Sequence, residues 1–267
     1  MSEDPESYKN QRFFSINNDL EDIYRQWDAV VADDELPMLE KIVKALAADV
    51  PADTRAFERQ LLLFRKSFKA SFRKASLLNV YHRLVSLGEV EPSDALGRLL
   101  VKKSSKSQSG VLVITVLTSP YPVVDGKVQR FSCAWNCYYC PNEPGQPRSY
   151  LHDEPAVKRA NENRFDPVLQ FTDRAATLAM NGHPVDKIEL LVLGGTWASY
   201  PHAYQETFVR DLFFAANTVG FRTASPDPRA TSAPLGRARA LGGRPRRRRV
   251  RIAPPYVLSL CPAAVHY

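Results

Sequence analysis

VLVITVL, residues 111–117, is an unbroken apolar run rich in β-branched residues. Such a run reads as a strand buried on both faces. SSKSQSG (104–110) leads into it and reads as a flexible approach. A second run, IELLVL (188–193), leads into Gly194-Gly195-Thr196. Between the two lie a loop carrying three cysteines and a helix expected from Asp166 to about Met180. After Thr196, the spacing of Phe208, Val209, Leu212, Phe213 and Ala216 predicts an amphipathic helix. Strand, long loop, helix, strand, helix is how a parallel α/β barrel or sheet begins, and in such folds sites lie at the carboxyl ends of the strands. The cysteines follow the first strand and the glycines follow the second, so both are expected on one rim.

Upstream, residues 19 to about 90 read as helical. Leu39, Ile42, Val43 and Leu46 repeat at one-face spacing, and KASLLNVYHRLVSLG ends on Gly88, a helix stop. The N-terminal MSEDPESYKNQ is acidic and has no apolar stretch, unlike a secretory signal. No apolar run approaches the ~20 residues that span a bilayer. The expectation is a soluble protein of the cytoplasm or nucleus, with no membrane partner. The formal charge of +7 is concentrated at one end. Arg222 to Tyr267 holds ten arginines, one acid and seven of the 20 prolines; the remainder has 26 basic against 28 acidic residues. With neither helical nor strand period, 221–267 is expected to be a disordered Arg/Pro-rich tail. Its readings are an electrostatic nucleic-acid arm, a tail without a selected role, or a gene-model artefact from a shifted frame or retained intron; the abrupt change after Gly220 favours the last.

Cys133, Cys137 and Cys140 stand in a Cys-x3-Cys-x2-Cys spacing. A structural zinc site needs four protein ligands, and here the fourth would be His152 or Cys261, neither at a zinc-knuckle spacing. A [4Fe–4S] cluster held by three thiolates leaves one iron open and suits the spacing better. Zinc and free thiols remain open on the residues alone.

CAWNCYYC, with an aromatic before the last cysteine, resembles the radical S-adenosylmethionine (SAM) signature. SYLHDEP (149–155), RFDPVLQ (164–170), GHPVDKIE (182–189) and VLGGTW (192–197) resemble successive blocks of the Elongator catalytic subunit family, over about residues 95–220. That family comprises tRNA carboxymethyluridine synthases joining a radical SAM barrel to an acetyltransferase domain. The resemblance implies an α/β chain: a helical region (1–94) that contacts tRNA, a partial radical SAM core (95–220) holding the first two βα units of a partial TIM barrel, and the tail (221–267). Other Elongator subunits would be partners. This loop has a shorter gap between its first two cysteines than the family's usual one, and PNEPGQPRSY where Pro-Gly-Gly often follows.

By the same resemblance, Cys133, Cys137 and Cys140 hold the cluster, with Tyr139 beside it, and its open iron chelates SAM. Reductive cleavage gives a radical that activates the methyl group of acetyl-CoA, which adds to C5 of a wobble uridine. The cofactors carry the chemistry, and the protein positions them. Gly194, Gly195 and Thr196 match the place that binds the SAM amino group, and Lys187 aligns with a lysine associated with acetyl-CoA. For tRNA, the basic run Arg65, Lys66, Lys69, Arg73 and Lys74, interleaved with Phe64, Phe68 and Phe72, reads as one amphipathic helix with its phenylalanines inward and its cations toward phosphates. Lys102, Lys103 and Lys106 form a second patch. Because the resemblance stops near Gly220, the expectation is a fragment that does not complete the family reaction. The alternatives are a zinc-binding RNA module and a non-catalytic interaction subunit.

Overall fold

The computed structural model describes residues 31–185 and 187–218, together with Asp22 and Ile23. The expectations for residues 221–267, Cys261 included, and the part of the helical expectation that falls on residues 1–21 and 24–30, lie outside the described residues.

The upstream region is helical because its apolar residues recur at turn spacing. In α1 (Leu36–Ala48), Leu39, Ile42, Val43 and Leu46 are all buried. Helix α2 (Thr54–Phe68) starts where the Asp53 carboxylate accepts from the Ala56 N–H at 2.7 Å. It turns Phe57 and Leu61 inward and stops at Lys69, whose φ of 50° is left-handed. Helix α3 (Lys74–Ser86) ends at Gly88, as expected; a φ of +71° lets the N–H groups of Gly88 and Glu89 reach back to Val85 and Leu84. Helix α4 (Asp94–Leu100) is capped by Ser93. Its Leu96 and Leu100 join the same core as α1–α3, so the helical cluster extends past residue 94.

The run 65–74 is thus two helix ends and a turn, not one helix. Phe72 is buried and Phe64 partly so, but Phe68 is 38% exposed because the chain reverses at Lys69 before a further turn could bring it inward.

The expected parallel pair forms. Strand β1 (Leu112–Leu117) lies parallel to β4 (Ile188–Leu193), Leu112 opposite Ile188 through Leu117 opposite Leu193. The ladder is continued by Leu112 N–H to the Lys187 carbonyl and Thr118 N–H to the Leu193 carbonyl, each at 2.9 Å. Helix α5 (Pro155–Glu162) and helix α6 (Pro167–Met180) lie between the strands, and α7 (His202–Thr218) follows β4. Asp166 caps α6 by accepting from the N–H groups of Val168 and Leu169.

One face of β1 (Leu112, Ile114, Val116) packs with Phe171, Ala175 and Leu178 of α6 and with Tyr204, Phe208 and Leu212 of α7. Its other face is covered only at the carboxyl end, where Leu117 meets Val157 and Ala160 of α5. Val113 is 41% exposed, so the strand is not buried on both faces throughout. On α7, Phe214 is buried and Phe213 exposed; the inward face follows Tyr204, Phe208, Leu212 and Ala215. Edge exposure of β1 is limited at its carboxyl end by Gln170 of α6. Its amide donates to the Leu117 carbonyl at 3.0 Å and its oxygen accepts the Leu117 N–H at 2.9 Å, as a neighbouring strand would.

Two local features differ from expectation. Residues 104–107 form a 3-10 turn instead of a loose approach, because buried His183 bonds the Ser107 hydroxyl (3.1 Å) and the Lys102 carbonyl (2.9 Å). Asp125-Gly126, both at positive φ, closes a short hairpin between β2 (Val123–Val124) and β3 (Lys127–Val128), the conformation an Asp-Gly pair favours. Among the described residues the fold is α/β, with seven α-helices and a small parallel sheet. No described helix is long and apolar enough to cross a membrane.

Candidate metal centre

The chain leaves β1 at Thr118, forms the β2–β3 hairpin and enters the cysteine loop at Phe131. Cys133 and Cys140 are half-buried and Cys137 is exposed; none of the three is in a disulfide. Trp135, Tyr138 and Tyr139 point largely into solvent, at 77%, 106% and 84% exposure. The loop is tied by the Cys140 N–H to the Cys137 carbonyl (3.2 Å) and by the Ser149 N–H to the Pro141 carbonyl (3.1 Å). Among the described residues no three His, Cys, Asp or Glu side chains are gathered at metal-binding spacing. A metal therefore requires this loop to draw its three sulfurs inward.

The glycines after β4 are demanded by packing. Gly194 has φ +141°, and a Cβ there would lie 1.8 Å from Thr118 Oγ1. A Cβ on Gly195 would lie 2.4 Å from the Phe131 ring. Phe131 stacks on Tyr200 (4.3 Å) and Tyr200 on Tyr204 (5.1 Å). The Tyr200 hydroxyl meets Thr118 Oγ1 at 2.8 Å, and the Tyr204 hydroxyl accepts the Ser119 N–H at 2.8 Å. Burial pushes the Tyr200 phenol up to about 12 and raises Tyr204 as well. These residues lock the end of β1 to the end of β4.

That lock brings the two motifs together. Cys133 Sγ lies 3.3 Å from Thr196 Oγ1. The Thr196 hydroxyl, followed by the Trp135 N–H, holds the Cys133 thiol below its ordinary pKa, outweighing the opposing effect of desolvation. A sulfur that is easily made anionic is the form that binds metal. The other half-buried sulfur, on Cys140, accepts from Arg148 Nε at 3.4 Å. Three free thiols on one loop, two of them facing polar donors, are a donor set that fits a thiolate-bound metal group.

The remaining site residues lie elsewhere. Lys187 is exposed at the amino end of β4, seven residues from Gly194, or roughly 23 Å of strand at ~3.3 Å per residue. Lys102, Lys103 and Lys106 are exposed on the turn before β1, with Lys103 left-handed at φ 56°. Lys106 titrates below an ordinary lysine through partial burial and then repulsion from Arg174, Lys103, Arg159 and Lys102. Arg159 and Arg174, which sequence reading passed over, thus enlarge the second basic patch. In the first patch, Lys66, Lys69 and Arg73 are exposed, while two cations are engaged internally. Arg65 lies over the Phe72 ring at 5.2 Å, and Lys74 pairs with Glu58 at 2.6 Å beside Phe57. Sequence reading also missed Arg148, Thr118 and Tyr200. The Tyr200/Tyr204 spacing of four was the visible signal for the last.

No family model matches the chain. It is 36% identical over 119 residues to the tRNA uridine(34) acetyltransferase of Dehalococcoides mccartyi, covering 45% of this chain and 24% of that protein. It is 35% identical over 139 residues to Elongator complex protein 3 of Drosophila melanogaster, covering 49% and 24% respectively. With Elongator complex protein 3 of Schizosaccharomyces pombe it shares 31% over 177 residues, covering 62% and 32%. The chain is thus a partial, divergent match to proteins named tRNA uridine(34) acetyltransferase and Elongator complex protein 3. It spans about a quarter to a third of the length of these Elongator relatives.

Proposed function

We propose that this chain carries the radical SAM part of a tRNA wobble-uridine carboxymethyl synthase, with Cys133, Cys137 and Cys140 as the ligands of a [4Fe–4S] cluster. The observation that carries the reading is the 3.3 Å approach of Cys133 Sγ to Thr196 Oγ1, which joins the cysteine loop to the Gly-Gly-Thr turn on one rim. The names of its relatives, tRNA uridine(34) acetyltransferase and Elongator complex protein 3, support the substrate class and assembly with other subunits. On this reading β1 and β4 are the first two strands of a partial barrel, and the rim sits at their carboxyl ends. When bound, the cluster and SAM supply radical chemistry that joins the acetyl group of acetyl-CoA to C5 of the uridine. The chain's own residues bind and orient. Gly194 and Gly195 let β1, β4 and the Phe131 ring meet closely, and this keeps Thr196 against Cys133. Lys187, at the far end of β4, contacts acetyl-CoA through a surface distinct from the rim.

Anaerobic protein analysed for iron, sulfide and zinc tests the assignment. About four irons per chain with matching sulfide is the expected result. Stoichiometric zinc without sulfide would replace it with the zinc-binding RNA module.

The RNA-facing part has its own readout. Lys66, Lys69 and Arg73, with Lys102, Lys103 and Lys106, are exposed cations placed to meet phosphates; Arg65 and Lys74 serve that surface from internally paired positions. Charge neutralisation at Lys102 and Lys103 is expected to weaken tRNA binding and flatten the plot of log affinity against log salt by up to about two. An unchanged slope would remove this patch from the interface.

A further inference from the structure

Arg148 reaches into the cysteine loop and holds two of its parts at once. Its Nε–H donates to Cys140 Sγ at 3.4 Å, and its Nη2–H donates to Asn136 Oδ1 at 2.6 Å. Asn136 immediately precedes Cys137 and sits at a positive φ of 33°. One planar fork therefore ties the sulfur of the third cysteine to the residue that sets up the second. The fork itself is anchored: Pro147 is buried, Arg148 half-buried, and the Ser149 N–H is held by the Pro141 carbonyl at 3.1 Å.

We propose that Arg148 is a positioning residue for the thiolate centre, fixing Cys140 relative to Cys137 and supplying positive charge against the metal-bound sulfurs. The inference rests on the metal-binding reading of the three cysteines. Three thiolates around a divalent ion or a [4Fe–4S]2+ core leave a net negative charge, and a guanidinium bonded to one sulfur offsets it while leaving lone pairs for the metal. Arginine suits the place because its donors are fixed in one plane, whereas a lysine offers a single mobile charge. No salt bridge among the described residues neutralises it. Glu143, on the same cleft, accepts the His152 N–H at 2.7 Å instead. Arg130 lines that cleft too but makes no hydrogen bond to a sulfur, and so provides a control of equal charge.

The test is an anaerobic titration of the full chain with Co2+, read by thiolate-to-cobalt charge-transfer absorbance, with far-UV circular dichroism confirming an unaltered fold. Arg148→Gln is expected to weaken cobalt binding about 10- to 100-fold, the usual effect of losing a partner behind a metal ligand. Arg148→Lys keeps the charge without the fork and is expected to lose less, and Arg130→Gln to match the wild type. Equal binding by Arg148→Gln and the wild type would overturn the inference alone. An equal loss in Arg130→Gln would also overturn it, reducing the effect to bulk charge. A wild-type chain that gives no cobalt–thiolate absorbance and takes up no iron and sulfide on anaerobic reconstitution would overturn both this inference and the metal reading beneath it.

Discussion

Replacing Cys137 with alanine is expected to take the anaerobically reconstituted protein from about four irons per chain to background, with loss of the broad brown absorbance of a cluster. Three thiolates leave one iron of the four without a protein ligand; removing one leaves two such irons, and the cluster is not retained. Cys137 is exposed and, apart from the backbone bond its carbonyl accepts from Cys140, its side chain supports nothing in the fold. The change should therefore leave the far-UV circular dichroism and the melting temperature where they were. This separates loss of a ligand from loss of structure. Cys261→Ala, outside the described residues, is expected to retain full iron and sulfide. Full iron in Cys137→Ala would show that this cysteine is not a ligand and would overturn the three-thiolate assignment.

The second large effect is one of stability. Gly194→Ala places a Cβ 1.8 Å from Thr118 Oγ1 at a φ of +141°. Neither the backbone angle nor the neighbour can give cheaply, since Thr118 is buried and bonded to Tyr200 and to the Leu193 carbonyl. Strain in a region nearly closed to L-residues costs about 1–3 kcal/mol, and overpacking a further ~1–3 kcal/mol. Against a total stability of about 5–15 kcal/mol, the sum is expected to lower the melting temperature by roughly 10 °C. Gly97 is the contrast. It lies inside α4 with nothing within 4 Å of a built Cβ, so Gly97→Ala should stabilise by about 0.5–1 kcal/mol. A Gly194→Ala protein melting with the wild type would mean that the β1–β4 lock is not as tight as the distances indicate.

If Gly194→Ala also lowers the reactivity of Cys133 toward an alkylating agent, by freeing its sulfur from the hydroxyl that favours the thiolate, the same lock is what keeps Thr196 against that sulfur. The consequence matters for the proposed function. The glycines need no ligand to explain them, because Thr118 and Phe131 already fill the space beside them. A role in binding SAM would be added to a structural one.

Local and near-local signals in the sequence were enough for the elements. The run 112–117 and the run 188–193 are continuous apolar segments, and a parallel pair is how such segments satisfy their backbone groups when a helix lies between them. Turn spacing marked α1, Gly88 marked the end of α3, and Asp166 marked the start of α6. The cysteine and glycine motifs, by following the two strands, had to share a rim. Sequence reading faltered where a neighbour distant in the chain decides the outcome. Phe68 is exposed because Lys69 turns the chain, and Phe213 yields to Phe214 because packing against α6 sets the phase of α7. His183, 76 residues from Ser107, converts a serine-rich stretch into a clamped turn. Gln170 completes the edge of a strand 53 residues away, and Arg148 donates to Cys140 through a loop whose path no periodicity encodes. Periodicity reports which side of an element is apolar. Which partner meets that side, and which polar group must then be satisfied, is settled only when the elements pack.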